Sequence, residues 1–286
     1  MQSKDLIGLT PAWPAPHFVR ALMTTREGGV SPQPWGSLNL GLFSGDQSEN
    51  VLQNRNLVQS AMGVPAVYLR QVHGVQSVAI EHQTPSGLEA DVAWTTHAGV
   101  ACAVMAADCL PILVCHPKAK WVAAAHAGWR GLAGTQGHGV VETLSEGARA
   151  QGLDTADCMA WLGPCIGPTA FEVGEDVLQA FALTKGSSKL EGSIEALFVA
   201  KDKDKDKDNS NGNGNGNGNG NGKYWADLAG LARLRLKAEG FQVICGNDST
   251  VAWCTYRQEA QYHSHRRDAL LKGGAGRMAA YIWITA

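Results

Sequence analysis

Three side chains in this 286-residue chain offer the atoms that a borderline-soft metal ion prefers: imidazole nitrogen from His73 and His126, and thiolate sulfur from Cys109. Each closes a short apolar or β-prone run. Tyr68-Leu-Arg-Gln-Val-His73 ends on the first histidine, the run from Val100 to Ala107 meets Asp108-Cys109-Leu-Pro111, and Trp121–Ala125 ends on His126. The spacings are 36 and 17 residues. Structural zinc sites favour close pairs such as Cys-x₂-Cys, and the chain has none. Long spacing with ligands at strand ends fits a catalytic pocket, where three protein ligands leave a position for water or substrate. A reading without metal is also open, with Cys109 as nucleophile and His73 or His126 as its base. Asp108 either orients a histidine or stabilises a turn.

A second group of candidates is cationic. Arg266-Arg267, in the stretch Gln261–Asp268, either clamp an anion bidentately or pair with Asp268. Arg130 lies four residues after His126 in the glycine-flanked turn Gly128-Trp-Arg-Gly131, and Arg26 lies in Thr24-Thr-Arg-Glu-Gly-Gly-Val-Ser31. Of these, Arg26, Arg130 and Arg266 are the candidates for holding an anionic ligand. Asn39 in Ser37-Leu-Asn-Leu-Gly41 and Gln71 beside His73 are taken as further substrate contacts.

The elements that must position these residues read as a mixture. Helical spacing covers 50–62 with Gly63 as C-cap, and 137–150 with Val140, Val141 and Leu144 inward. A short helix spans 174–183, and an amphipathic helix runs from Tyr224 to Gly240. Strands are expected at 67–73, 76–81, 100–106, 111–115, 121–126, 241–245, 251–254 and 278–284, with 111–115 and 121–126 as a hairpin. Met159–Leu162 is a strand running into a Gly/Pro loop. Mixed strands, hairpins and helices predict an α/β sandwich. Residues 201–222 are four Lys-Asp repeats, Asn-Ser, and six Asn-Gly repeats. With no apolar residue to bury, this stretch is expected to be a disordered insertion in one domain spanning 1–286.

Composition narrows the function. A net charge of −2 gives no support to nucleic-acid or membrane-surface binding. No run of 18 apolar residues suggests a membrane span, and no signal peptide is evident at the start. Seven scattered cysteines suit reduced thiols in a cytoplasmic protein.

Longer motifs carry a resemblance. Thr25-Arg-Glu-Gly-Gly-Val-Ser, Ser37-Leu-Asn-Leu-Gly, Arg70-Gln-Val-His-Gly, Ala107-Asp-Cys-Leu-Pro, His126-Ala-Gly-Trp-Arg-Gly, Leu162-Gly-Pro-Cys-Ile-Gly-Pro, the Arg266-Arg-Asp region and Gly276-Arg-Met resemble, in order and over nearly the whole chain, the motifs of the YfiH family. That family has carried the names purine nucleoside phosphorylase, multicopper polyphenol oxidase or laccase, and peptidoglycan editing factor. The resemblance implies a four-layer α/β sandwich like the catalytic domain of cytotoxic necrotising factor toxins. It implies zinc held by His73, Cys109 and His126, with copper as the alternative. It further implies phosphorolysis of adenosine, inosine and methylthioadenosine, with adenosine deamination. The partners would then be a nucleoside and phosphate, with Arg26, Arg130 and Arg266 as the phosphate candidates. The rival readings are a copper laccase, for which the single His-x-His pair His263-Ser-His265 is too few, and a cysteine amide hydrolase acting on cell-wall precursors.

Overall fold

In the computed structural model of the chain, residues 8–182, 194–201 and 222–286 are described. Apart from its two end residues, the 201–222 repeat lies outside them. Two large sheets dominate. The first has five strands in the order β1 (Gly8–Leu9), β2 (Val19–Thr24), β14 (Met278–Ile284), β6 (Ala101–Ala106) and β3 (Ala66–Tyr68). The second has six, in the order β13 (Val243–Gly246), β9 (Met159–Leu162), β7 (Leu110–Cys115), β8 (Val122–Ala127), β5 (Val92–Thr95) and β4 (Ser77–Ala79). A small sheet adds β10 (Glu172–Gly174), β12 (Lys223–Ala226) and β11 (Phe198–Ala200).

The period of two along each strand sorts the layers. Cys102 and Val104 of β6 and Ala280 and Ile282 of β14 face Leu113, Val122, Ala124 and Trp161 of the other sheet. Their alternates Ala101, Ala103, Ala279 and Tyr281 face outward onto Val58 of helix α1 (Ser48–Met62). On the second sheet Ala123 and Ala125 face outward, onto Val140, Val141 and Leu144 of α3 (Val140–Ala150) and Leu231 of α5 (Leu228–Ala238). Between β8 and α3 lies the one-turn helix α2 (Trp129–Ala133), and α4 (Glu175–Ala182) follows β10. Helix, sheet, sheet, helix is the four-layer sandwich, and strands covered on both faces explain the continuous apolar runs.

The hairpin of β7 and β8 forms with Leu110 opposite Ala127. Several local expectations need correction. β3 stops at Tyr68, so His73 sits in a loop with φ 61° rather than at a strand end. Tyr224-Trp-Ala belongs to β12, whose aromatic residues suit a strand paired on both sides. The helix starts only after Asp227, whose side chain caps Gly230 N–H. Val251–Trp253 forms a tight helical turn, not a strand.

Candidate metal centre

Hairpin register explains the first contact. With Leu110 opposite Ala127, Cys109 and Gly128 come face to face as the strands end. His126 follows Val122 and Ala124 onto the face between the sheets. Its backbone N–H bonds the Asp91 carbonyl (2.8 Å), which places Asp91, the residue before β5, beside it. Asp91 then holds both histidines. One carboxylate oxygen accepts from His126 Nδ1 (2.8 Å) and the His73 backbone N–H (3.1 Å); the other accepts from Gly74 N–H (2.7 Å) and Val72 N–H (3.2 Å). Three successive amides wrapped on one buried carboxylate fix the loop that carries His73.

The resulting cluster is compact. His73 Nε2 lies 3.7 Å from Cys109 Sγ, the two imidazole rings are 4.8 Å apart at 75°, and all three donor atoms lie within 4.8 Å of one another. Gly128 lets them meet: a Cβ there would sit 2.6 Å from His73 Cδ2 and 3.1 Å from the Cys109 sulfur. Burial works to raise the Cys109 thiol, but the charge of His126 and hydrogen bonds from His126 and His73 outweigh it and bring it down to about 6. Burial works to lower His126, yet the Cys109 thiolate and Asp91 raise it to about 9. Asp91 is lowered: its burial is outweighed by the His126 hydrogen bond and charge and by the amides. A thiolate and two imidazoles, with one imidazole's second nitrogen fixed by a carboxylate, form a donor set that fits zinc or another borderline-soft ion.

The cluster opens into a cavity of about 410 Å³, lined on other sides by Leu42, Phe43, Met105, Phe171, Arg266 and Arg277 among others. Gln71 and Arg266 are on its wall. Gln71 is committed to structure, since its amide bonds both the N–H and the carbonyl of Met105 (2.7 Å each). Three expected contacts lie elsewhere. Arg26 is buried against the Gly36 and Glu259 carbonyls (3.1 and 2.9 Å) and lines a separate polar cleft. Asn39 is fully buried; its Oδ1 accepts from the Arg277 and Gly41 amides. Arg130 is exposed and stacks on Trp129, 4.2 Å from the ring centroid, because α2 turns it away from the cavity. Asp108 does not orient a histidine: at φ 88° it accepts from Thr255 Oγ1 (2.6 Å) and Arg266 N–H (2.7 Å), holding the turn. Arg267 is spent on Asp268 and on the carbonyls of Thr255, Tyr256 and Tyr262.

Two residues of the site escaped sequence reasoning. Asp91 stands alone at the head of a strand, with no spacing signal. Arg277 was visible only within Gly276-Arg-Met, and nothing in sequence joins position 277 to position 109.

The chain is similar to known proteins over almost all its length. Residues 20–285 match the family described as multi-copper polyphenol oxidoreductase laccase. A purine nucleoside phosphorylase of Pseudomonas aeruginosa is 38% identical over 276 residues, covering 96% of this chain and 98% of that protein. The purine nucleoside phosphorylase YfiH of Escherichia coli is 38% identical over 278 residues, with the same coverage. Among solved structures, a Neisseria meningitidis protein superposes with a TM-score of 0.79 at 39% identity, covering 98% of this chain and 99% of that one. YlmD from Geobacillus stearothermophilus superposes with a TM-score of 0.75 at 28% identity, covering 98% and 100%.

Proposed function

For a chain that belongs to the YfiH family, whose family model is described as multi-copper polyphenol oxidoreductase laccase, we propose purine nucleoside phosphorolysis with adenosine deamination as a second activity. The observation that carries this reading is the His73–Cys109–His126 cluster on the wall of a small-molecule cavity. Its size falls within the roughly 300–1,000 Å³ of ligand pockets.

In this reading zinc is held by His73, Cys109 and His126. Such an ion supplies Lewis acidity to the pocket. The protein's own groups do the rest. Asp91 fixes His126 with its proton on Nδ1, leaving Nε2 toward Cys109. Leu42, Phe43, Met105 and Phe171 offer apolar surface for a purine, and their bulk displaces water from it. In phosphorolysis the bond from ribose C1′ to the purine nitrogen breaks, and a phosphate oxygen bonds C1′, giving free purine and ribose 1-phosphate. In deamination water replaces the 6-amino group of adenosine, releasing ammonia. A reducing, cytoplasmic setting suits seven free cysteines. No described helix is long and apolar enough to cross a membrane.

A thiol hydrolase is the second reading, favoured by one observation. Cys109, His126 and Asp91 stand in the order nucleophile, base and orienting carboxylate. The laccase reading is weaker: in His263-Ser-His265 the first ring is fully buried and the second exposed, so the pair does not present two imidazoles together. The deciding experiment supplies inosine with and without phosphate to native and chelator-treated protein. Phosphate-dependent ribose 1-phosphate, lost on chelation and restored by zinc, is the expected result. Activity on an amide substrate that survives chelation would instead establish the thiol hydrolase.

A further inference from the structure

The cavity around the cluster has an imbalance of charge that the metal ligands do not account for. Among the described residues its lining includes three arginines, Arg70, Arg266 and Arg277, but a single carboxylate, Asp108. That carboxylate is spent, since one oxygen accepts from Thr255 and the other from the Arg266 backbone. Arg70 pairs with Glu89. Arg266 and Arg277 have no carboxylate partner among the described residues. The Arg266 guanidinium hydrogen-bonds only the Glu172 carbonyl (3.2 and 3.3 Å) and lies over the Phe171 ring, 6.0 Å from its centroid, and Arg277 Nη1 bonds only the carbonyls of Ala275 and Gly276 (2.8 and 3.1 Å). Both side chains are half-buried. A guanidinium stays charged at any working pH, and a half-buried one without a counter-ion is under-solvated.

The fold also holds Arg277 in place deliberately. Buried Asn39 accepts from both the Arg277 N–H (2.9 Å) and the Gly41 N–H (3.1 Å), pinning these two loops together. Gly41 leaves the groove in which the arginine stem lies: a Cβ there would be 2.6 Å from Arg277 Cγ. Thus the conformation of a cation, not only its presence, is built in, on the cavity that it lines together with Cys109 and Asp108.

We propose that Arg277 and Arg266 form the oxyanion subsite of this cavity, taking inorganic phosphate beside the His73–Cys109–His126 cluster. Forked guanidinium groups match the oxygens of a tetrahedral oxyanion bidentately, which a lysine cannot reproduce. The assignment rests on the phosphorolytic reading for the identity of the anion, and on the unpaired guanidinium groups for the site. It moves the phosphate from Arg26 and Arg130, which lie off the cavity, to residues on its wall.

The test uses the whole metal-loaded protein and two probes, inorganic phosphate and adenosine 5′-monophosphate. Binding of each is measured by calorimetry for the wild type, Arg277→Gln, Arg277→Lys and Arg266→Gln. Phosphate affinity should fall about ten- to hundred-fold in Arg277→Gln, the loss of hydrogen bonds to a charged group. The lysine variant should recover only part. In steady state the KM for phosphate should rise in parallel, with the KM for inosine changed less than about two-fold. Gly41→Ala, which displaces the arginine without removing its charge, should also weaken phosphate, so the result does not hang on one variant. Unchanged phosphate affinity in both Arg277 variants, or no phosphate binding by the wild type, overturns the proposal. So does arginine-dependent binding of the nucleotide without binding of phosphate, which assigns the site to a phosphate ester. The phosphorolytic reading fails separately, if the wild type binds phosphate through Arg277 yet makes no ribose 1-phosphate from inosine.

Discussion

Replacing Asp91 by asparagine changes one atom and should dismantle the cluster. The fully buried carboxylate accepts four hydrogen bonds, two on each oxygen. An asparagine keeps one acceptor and turns the other into a donor, so either orientation fails. If the amide nitrogen faces Val72 and Gly74, donor meets donor, and the 3.2 and 2.7 Å bonds that hold the His73 loop are lost. If it faces His126, it can donate to Nδ1 only after the ring proton moves to Nε2, the nitrogen needed at the cluster. Hydrogen bonds to charged groups contribute about 1.5–3 kcal/mol each, and with one of the pair long the loss should be about 3 kcal/mol. For a chain of this size that corresponds to a fall in melting temperature of roughly 6–12 °C. Metal affinity should fall about 10–100-fold, as for other carboxylates that orient a ligand histidine. The assay is thermal unfolding together with competition for zinc against a chromogenic chelator. Asp91→Asn with wild-type melting temperature and wild-type zinc affinity would refute the argument that this carboxylate organises both histidines.

Three further outcomes follow from particular contacts. Gly128→Ala drives a methyl group into the His73 ring and the Cys109 sulfur, and should lower zinc content at a stability cost of about 1–3 kcal/mol; full zinc occupancy in the purified variant would contradict the packing. Phe43 is 86% exposed at the cavity and offers a face for a purine, so Phe43→Ala should raise the KM for inosine about five-fold while leaving that for phosphate unchanged, checked by two-substrate kinetics. His263 is fully buried with no hydrogen-bond partner for its ring among the described residues, and burial, helped by nearby Arg26, lowers it to about 3. Between that value and its ordinary 6.5 the unfolded chain binds a proton that the native state refuses, so stability is lost as pH falls. From pH 7 to 5 this amounts to about 2 kcal/mol, and chemical denaturation of His263→Leu at both pH values should show a correspondingly smaller loss than the wild type.

What the sequence carried by itself was local and repetitive. The apolar runs of β6, β7 and β8, the hairpin through His116-Pro117, and α1 with its Gly63 cap were legible because each depends on the period of neighbouring side chains and on turn chemistry. The His-Cys-His trio was legible because few side chains offer soft donors, and each stood beside a recognisable run. Tertiary structure decided the rest. Which arginine faces the cavity depends on a single turn of helix at α2, which sends Arg130 onto Trp129, and on the Asn39 clamp that seats Arg277. Which carboxylate serves the histidines depends on the pairing of β5 with β8, which brings Asp91 to His126 and leaves Asp108, though adjacent to Cys109, bonded to Thr255. Side chains far apart in sequence meet only through register and loop conformation, and a buried hydrogen-bond acceptor leaves no period behind it: its partners are chosen by geometry once the sheets have packed.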